Sequence, residues 1–379
     1  MQTRAEDRSG ADAPLDWRWQ LAHRLRSAED LASRLRLTPA EREAFAVDSL
    51  PPVAVTPYYL SLMDPADPRC PIRRQALPHP EDVRCGAGER VDPLGERERS
   101  PVPGVIHRYP DRVVLLASTD CPVRCRHCNR RARSPSEFLC RPDQRAAAVA
   151  YVQDHTDVRE VILSGGDPLT RTDAELASLL APLWSVPHVE VLRIHTRAPV
   201  TCPMRITDEL LRVLRGSKPL FVLTQFNHPR EVTAEAQEAC ARLVDAGHPV
   251  ANQSVLLRGI NSDGEILKAL SRALLRIRVR PYYLFQLDPV VGTERFRTPV
   301  RAGLELVSQL RGQVSGLGIP TFALDAPGGF GKVAVAPEGI VFSGPGEVRV
   351  RTWQGQVVSY PDTGNPDLSC PPWREATRS

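Results

Sequence analysis

The residues of this chain best suited to chemistry are three closely spaced cysteines, Cys121, Cys125 and Cys128. Their spacing, C-x₃-C-x₂-C, lets three thiolates converge on one centre with no fourth cysteine close by. A structural zinc site usually closes four ligands, often as two C-x₂-C pairs. A cubane iron–sulfur cluster is held by cysteine thiolates, and three of them would leave one iron open to a further ligand. The spacing therefore favours a catalytic cluster, and a zinc knuckle completed by His127 or a distant cysteine is the alternative.

A lysine after a glycine-rich run is the second chemical signal. Of 49 basic residues only Lys218, Lys268 and Lys332 are lysines. Pyridoxal 5′-phosphate (PLP) needs a lysine amine for its Schiff base, and the glycines of residues 326–331 would give a bulky cofactor room beside Lys332. Lys218 precedes a proline in a loop and Lys268 lies on a polar helix face, so both are poorer candidates. On the residues alone, Lys332 is equally well explained as an ordinary turn lysine.

A third candidate is the segment Leu163-Ser-Gly-Gly-Asp-Pro168, which follows a predicted strand. Two glycines let the backbone approach a ligand closely, and an aspartate can accept from an ammonium group. The same letters also describe a common β-turn.

Composition limits the compartment and the class of partner. Nine cysteines in 379 residues, an odd count, do not suit a disulfide framework. Met1 to Pro14 is polar and has no apolar core, so we expect no signal peptide and a reducing, cytoplasmic setting. No run approaches the roughly 18 apolar residues of a membrane span. A net charge of +4, without a basic run interleaved with aromatics, gives little support to nucleic-acid binding.

Strand and helix patterns alternate through the middle of the chain, with runs about 30 residues apart after the first two. The apolar, β-branched runs are Val113–Ala117, Val161–Ser164, Val189–Ile194, Leu220–Gln225, Val250–Leu257 and Pro281–Leu287. The amphipathic stretches are Asp173–Leu183, Asp208–Leu214, Ala234–Ala246 and Gly264–Ile277. This alternation predicts an α/β fold with six parallel strands in a partial barrel. A doubly wound nucleotide-binding sheet is the weaker alternative, because the sequence has neither a GxGxxG nor a Walker motif.

The segments on either side of the barrel have different patterns. Residues 15–48 look helical, with a capping box at Thr38, and residues 51–103 predict a loop-rich wrap around the core. Pro320–Asp325 looks like a further strand and begins a β-rich segment that ends in a polar tail. We therefore expect three parts: a helical and loop-rich extension (1–103), a core barrel (104–315), and a C-terminal segment carrying Lys332 (316–379).

Several motifs together resemble those of known enzymes. The cysteine spacing resembles that of radical S-adenosylmethionine (radical SAM) enzymes, and the match to the lysine 2,3-aminomutase family runs in order from about residue 17 to 341. The segments that carry this resemblance are Ser100–Arg112, the cysteine run, Ile194–Val200, Phe226–Pro229, Asn252–Gly259, Arg280–Tyr283, Phe296–Pro299 and Asp325–Gly329. The resemblance implies a partial (β/α)₆ radical SAM barrel with a C-terminal PLP-binding segment. It also implies three cofactors: a [4Fe–4S] cluster, S-adenosylmethionine and PLP.

The resemblance also implies a role for each matching residue. The cluster ligands would be Cys121, Cys125 and Cys128. The residues at S-adenosylmethionine would be Gly165, Gly166, Asp167 and Gln253, with His127 nearby. PLP would be held by Lys332, with Arg112 and Tyr109 at its phosphate. The substrate carboxylate would meet Arg130, which on the residues alone could be a solvated basic turn.

Two aspartates carry the expectation about the substrate. Family members that act on lysine grip its distal ammonium with two aspartates, and the matching positions here are Asp288 and Asp325. Relatives that act on glutamate lack this acidic pair. One departure is Gln225, where the family usually has histidine, and this leaves one contact near the cofactor open. Because Cys370 is the only cysteine after Cys240, we expect no C-terminal zinc site of the kind found in clostridial members.

The implied reaction is a 1,2-amino shift that interconverts L-lysine and L-β-lysine. The same chemistry on arginine, or on a lysine side chain of a translation factor, is the first alternative. A non-catalytic metal-binding module is the second. We expect an electron donor such as flavodoxin or ferredoxin, and the family resemblance suggests a homo-oligomer.

Overall fold

The structure is a computed structural model, which describes residues 16–139, 141–336, 339–344, 347–352 and 354–361. Its main feature is one nine-stranded sheet in the sequential order β1 to β9, with a separate three-stranded sheet of β10 to β12. The strands of the large sheet are β1 (Val105–Tyr109), β2 (Arg112–Ser118), β3 (Glu160–Gly165), β4 (Val191–His195), β5 (Leu220–Thr224), β6 (Val250–Leu256), β7 (Arg280–Gln286), β8 (Thr321–Ala326) and β9 (Gly331–Ala334). The small sheet consists of β10 (Ile340–Gly344), β11 (Glu347–Arg351) and β12 (Val357–Pro361).

Strands β2 to β8 run parallel, whereas β1 and β9 pair antiparallel to the two ends of that set. This confirms the predicted partial barrel, in which all six predicted strands are present. The structure adds a seventh parallel strand, β8, which the sequence had placed in the C-terminal segment. Its pairing with β7 places Asp325, near its end, on the same sheet as the core strands.

Helices follow the parallel strands as the amphipathic patterns predicted. Their bounds are α1 (Trp17–Ala22), α2 (Ala28–Ala32), α3 (Pro39–Phe45), α4 (Pro57–Ser61), α5 (Pro71–Ala76), α6 (Pro142–Asp154), α7 (Asp173–Trp184), α8 (Ala198–Thr201), α9 (Asp208–Leu214), α10 (Ala234–Asp245), α11 (Gly264–Arg276) and α12 (Val300–Leu310). Several start at side-chain caps; α7, for example, has a capping box between Thr172 and Glu175. Buried leucines of α7 and α9 pack in the same core as the strands.

The N-terminal extension is made of short helices joined by ordered loops. The predicted capping box at Thr38 is present and starts α3. The earlier helical pattern is interrupted at Leu25, which makes an isolated antiparallel bridge with Val55. Buried Arg73 of α5 bonds to Glu41 of α3, with Nε–Oε1 at 2.8 Å. Contacts within the extension thus hold its short helices together.

The chain divides into two compact units, with the boundary between Val335 and Ala336. The first holds the large sheet, and the second holds the small one. The sequence-based boundaries at 103/104 and 315/316 stay a prediction about organisation. None of the described helices has the length and apolar character needed to cross a membrane. The expectations about Met1–Pro14, Cys370 and the polar tail concern residues outside the described part of the chain.

Candidate active site

One cavity of about 760 Å³ contains every residue to which the sequence analysis gave a role in the site. These residues are Tyr109, Arg112, Cys121, Cys125, His127, Cys128, Arg130, Gly165, Gly166, Asp167, Gln253, Asp288, Asp325 and Lys332. Gln225 also lines this cavity. They come from the β1–β2 hairpin, from the loop after β2, from the parallel strands and the loops that follow them, and from the β8–β9 hairpin. Ligand sites of parallel α/β sheets commonly lie at such strand ends.

The three cysteines lie on the loop that leaves β2, and all three are free thiols. The N-terminal extension holds this loop: the amide of Arg124 donates to the carbonyl of Ala54 at 2.9 Å. Burial raises the pKa of Cys121 well above its usual value, with Asp167 and the other two thiols adding to the effect. Burial also raises the pKa of Cys128, followed by the effect of Cys125. Three thiols are therefore crowded into one wall of a cavity.

These thiols suit a cofactor that supplies positive charge. Metal binding requires the thiolate, and the field of a bound metal favours that form. Among the described residues, no three His, Cys, Asp or Glu side chains are arranged to share one metal ion. A cubane sets a different requirement, because each of its three thiolates binds a different iron. The donor set thus fits an iron–sulfur cluster.

The glycines of the 165–167 segment allow it to pack against the cysteine loop. The amides of Gly166 and Asp167 donate to the carbonyls of Ser118 and Asp120 at 2.6 and 2.7 Å. Gly165 has φ +115°, and a Cβ at Gly166 would lie 2.4 Å from the carbonyl oxygen of Asp120. Only glycine fits this approach. The two glycines therefore fix the distance between the cysteine loop and the end of β3.

The Asp167 carboxylate is buried and already has three donors. It accepts from the amide of Leu169 at 3.0 Å, from Oγ1 of Thr196 at 2.7 Å and from the amide of Arg197 at 2.8 Å. Burial raises the pKa of Asp167, although these bonds act in the opposite direction. The side chain ties β3 to β4, so any contact of this segment with a ligand would come largely from its backbone.

His127 is held as a neutral imidazole. Burial lowers its pKa to about 3, with Arg197 as the next cause. Its Nε2 lies 3.4 Å from Nδ2 of Asn227, and its buried Nδ1 has no hydrogen-bond partner in the protein. Gln253, buried on β6, lies at a register shift between β6 and β7. Both residues therefore line the cavity with uncharged polar side chains.

Lys332 lies on the hairpin formed by β8 and β9, directly opposite Asp325 in the register. Its Nζ is 3.2 Å from Oδ1 of Asp325 and 5.1 Å from the ring centre of Phe285. The glycines before it have left-handed backbone, with φ +83° at Gly328 and +93° at Gly331. The run expected to give a cofactor room therefore also makes the turn that returns Lys332 to the cavity.

A basic hairpin lies beside this lysine. The hydroxyl of Tyr109 accepts from the amide of Lys332 at 2.7 Å, and the guanidinium of Arg112 stacks 4.3 Å above the Tyr109 ring. Sequence reasoning missed Arg108, which is on the same strand, lines the cavity and pairs with Asp325 at 3.2 Å. Two guanidinium groups and a phenol near Lys332 fit an anionic group such as a phosphate. The donors near Lys332 thus fit PLP.

Arg130 makes a two-pronged ion pair with Glu96, with Nε–Oε2 at 2.9 Å and Nη2–Oε1 at 2.7 Å. Burial opposes ionisation of Glu96, but Arg130 and Arg133 outweigh it and lower its pKa to about 2. The remaining Nη1 of Arg130 donates to Oγ of Ser164 at 3.2 Å. Sequence reasoning missed Glu96, which fixes the orientation of Arg130 and leaves Nη1 as the terminal nitrogen outside the ion pair.

The two aspartates predicted for the substrate line the same cavity. Asp288 accepts from Nδ2 of Asn129 at 3.1 Å. Burial raises the pKa of Asp288 to about 7, and the neighbouring Asp325 is the second cause. Asp325 is already paired with Arg108 and Lys332. Asp288 is therefore a partly buried carboxyl that a cation entering the cavity would stabilise in its ionised form.

Two family descriptions match the chain. Residues 115–270 match the Radical SAM superfamily, and residues 307–371 match the family described as Lysine-2,3-aminomutase. The first range covers the cysteine loop and strands β3 to β6, so the protein is a radical SAM enzyme.

Curated relatives extend the match over nearly the whole chain. L-lysine 2,3-aminomutase of Fusobacterium nucleatum is 46% identical over 353 residues, covering 92% of this chain and 83% of the relative. The enzyme of the same name from Clostridium subterminale is 45% identical over 94% of this chain and 86% of its own. Glutamate 2,3-aminomutase of Clostridioides difficile is 39% identical over 93% and 85%. The chain belongs to the lysine 2,3-aminomutase family.

Family membership settles the class of chemistry. The protein is a radical SAM aminomutase, an isomerase that uses a [4Fe–4S] cluster and S-adenosylmethionine, and its family also uses PLP. The alternative of a non-catalytic metal-binding module is wrong.

Proposed function

We propose that this aminomutase acts on free L-lysine and interconverts it with L-β-lysine. The observation that carries the proposal is the acidic end of the cavity, where burial and, as the second cause, the neighbouring Asp325 raise the pKa of Asp288 to about 7. Two carboxylates there favour a substrate with a cationic side chain, because a buried ammonium needs an anionic partner. A glutamate side chain would bring a third carboxylate to the same place.

The cofactors would be held by separate parts of the chain. We assign the cluster to Cys121, Cys125 and Cys128, and S-adenosylmethionine to Gly165, Gly166, Asp167 and Gln253, with His127 nearby. We assign PLP to Lys332, with its phosphate at Arg112 and Tyr109. Bound together, these groups would supply an electron, a hydrogen-abstracting group and a carrier for the migrating amine.

The protein's own share of the work is to place the substrate between these groups. Arg130, oriented by Glu96, would hold the α-carboxylate through a charge-assisted bond. Asp288 and Asp325 would hold the distal ammonium. Because both ends of the substrate are fixed, the carbons between them are held at one place in the cavity. The binding energy of the two ends thus orients the reacting carbons.

A product assay tests the substrate. The anaerobically reduced protein, loaded with its cofactors, would be incubated separately with L-lysine, L-arginine, L-glutamate and a protein that presents a lysine side chain. We expect L-β-lysine from the first and no β-amino acid from glutamate. Conversion of arginine or of the protein-bound lysine with free lysine untouched would favour the alternative, since the same acidic pair suits those cations. Conversion of glutamate would overturn the proposed role of the aspartates.

We also propose a small-protein reductant such as flavodoxin or ferredoxin, a cytoplasmic location and a homo-oligomeric state. Support for the reductant is the electron that every radical SAM enzyme requires. The other two proposals rest on the family resemblance and the sequence composition.

A further inference from the structure

Arg197 is a buried cation that contacts the cysteine loop from another element, and the assignments above give it no task. It follows β4, and only 6% of its surface is exposed. Its Nη1 donates to Sγ of Cys125 at 2.8 Å. Its amide donates to Asp167, so the same residue contacts both the cysteine loop and the glycine-rich segment.

The guanidinium is held in place by a second set of partners. Its Nη2 donates to Oε1 of Glu231 at 2.6 Å and to Oε1 of Gln75 at 2.7 Å. Its Nε donates to the carbonyl of Gln225 at 3.1 Å. Glu231 is itself fully buried and accepts from the hydroxyl of Tyr59 at 2.7 Å. With the other edges of the fork occupied, Nη1 is left facing the sulfur.

We propose that Arg197 is a positioning residue that sets the reduction potential of the iron–sulfur cluster through Cys125, and that Glu231 moderates its effect. The proposal rests on the assignment of Cys125 as a cluster ligand. Hydrogen bonds to cluster sulfurs and the net charge around a cluster both control its potential. A guanidinium is always protonated in proteins, so its bond to sulfur is charge-assisted.

The direction of the effect follows from charge. The reduced cluster carries one more negative charge than the oxidised one, so a donor at the sulfur stabilises the reduced form more. Arg197 therefore raises the potential, and the Glu231 carboxylate beside it offsets part of that rise. In a water-poor site both effects are larger than at a surface.

Two variants give opposite expectations. Arg197→Met combined with Glu231→Gln removes the donor without a change in net charge, and we expect a more negative midpoint potential. Glu231→Gln alone leaves the guanidinium without its counter-ion, and we expect a more positive one. A tenfold change in the ratio of reduced to oxidised cluster at a fixed potential is ~59 mV for a one-electron couple, which is readily measured.

A matched control is available in a second buried arginine. Arg205 pairs with Asp173 at 2.7 Å and donates to the carbonyl of Leu169, rather than to a cysteine. The double variant Arg205→Met with Asp173→Asn also removes an ion pair without a change in net charge. The midpoint potential of its cluster should equal that of the wild type.

The measurement is a redox titration of the reconstituted cluster followed by electron paramagnetic resonance, with iron and sulfide content determined for each protein. Opposite shifts in the two variants would support the proposal. Unchanged potentials in proteins that hold a full cluster would overturn it, and so would failure of both variants to hold iron, because the pair would then only maintain the loop. A wild-type protein without a [4Fe–4S] cluster would instead overturn the assignment of the cysteines.

Discussion

At the scale of single residues, the charge of Asp288 should control substrate capture. Its pKa of about 7 reflects burial and the neighbouring Asp325, so the carboxyl is mostly neutral below that pH and mostly ionised above it. Only the ionised form stabilises a substrate ammonium. We expect kcat/KM for L-lysine to rise with pH through about 7. Asp288→Asn should abolish this rise and lower kcat/KM on the order of 100-fold, because the buried ammonium loses an anionic partner.

The control for this experiment is Asp143→Asn, since Asp143 pairs with Arg141 at an exposed position. It should keep the wild-type pH profile. A rise of unchanged size in Asp288→Asn would assign the titration to another group.

Glu96 should contribute to stability through Arg130 and Arg133. Its folded-state pKa of about 2 lies below the ordinary value of 4.5, so this contribution is present above about pH 4.5 and is lost as the pH falls towards 2. The difference between the two values corresponds to about 3 kcal/mol. We expect Glu96→Gln to unfold at a lower temperature than the wild type at neutral pH. As the pH falls towards 2, its unfolding temperature should fall by less than that of the wild type.

Scanning calorimetry across this pH range would measure the effect. Glu190→Gln is the control, because Glu190 is exposed and its contact with Arg159 is long, at 3.8 Å. A neutral-pH unfolding temperature of Glu96→Gln equal to that of the control would show that the pair adds nothing to stability.

The sequence revealed site residues that lie close together in the chain. It missed residues whose partners are far away in the sequence. The cysteines were found because their spacing is itself the signal, and all three line the cavity. Glu96 lies 34 residues before Arg130, in a proline-rich stretch without a motif. Arg197 lies 72 residues after Cys125. Such pairs depend on how β4 and the loops are packed, and a local pattern does not record that.

At the scale of elements, the β8–β9 hairpin depends on backbone that only glycine adopts readily. Gly331 has φ +93°, and a Cβ there would lie 2.9 Å from the Tyr109 hydroxyl. Gly331→Ala would strain the turn by roughly 1–3 kcal/mol and displace the next residue, Lys332. We expect this variant to bind less PLP, measured as its visible absorbance, while its iron content stays at the wild-type level.

Gly316→Ala is the matched control, because Gly316 has ordinary backbone and open space where a Cβ would lie. It should bind PLP as the wild type does. Full PLP binding in Gly331→Ala would show that the hairpin tolerates a side chain and does not fix the lysine.

The order of elements was predictable because hydrophobic periodicity reports burial directly. The predicted bounds of α9 match the structure, and those of α11 differ by one residue. The position of β8 in the sheet was not predictable, because an apolar run does not indicate which strand it pairs with. In the structure β8 pairs parallel to β7. This neighbour relation brings Asp325 and Lys332 into the cavity.

At the scale of the whole molecule, one cavity is lined by two sets of residues that come from different elements and to which we assign different cofactors. The cysteines are on the loop after β2, braced by the N-terminal extension, and Lys332 is on β9, braced by β8 and Tyr109. The two sets share the space between them, yet Lys332 and the cysteines have no hydrogen bond in common among the described residues. We therefore expect each cofactor to load without the other.

Two variants test this independence. Lys332→Ala should lose the covalently held PLP, seen as a visible absorbance band that disappears when borohydride reduces the Schiff base, and should keep wild-type iron and sulfide. Cys125→Ala should lose the cluster and keep the PLP band, because its removal leaves the hairpin untouched. Lys268→Ala, at an exposed pair with Glu265, should keep both. Joint loss of iron and PLP in either site variant would mean that the sites assemble as one unit, whereas a PLP band that survives in Lys332→Ala would assign the cofactor to a different lysine.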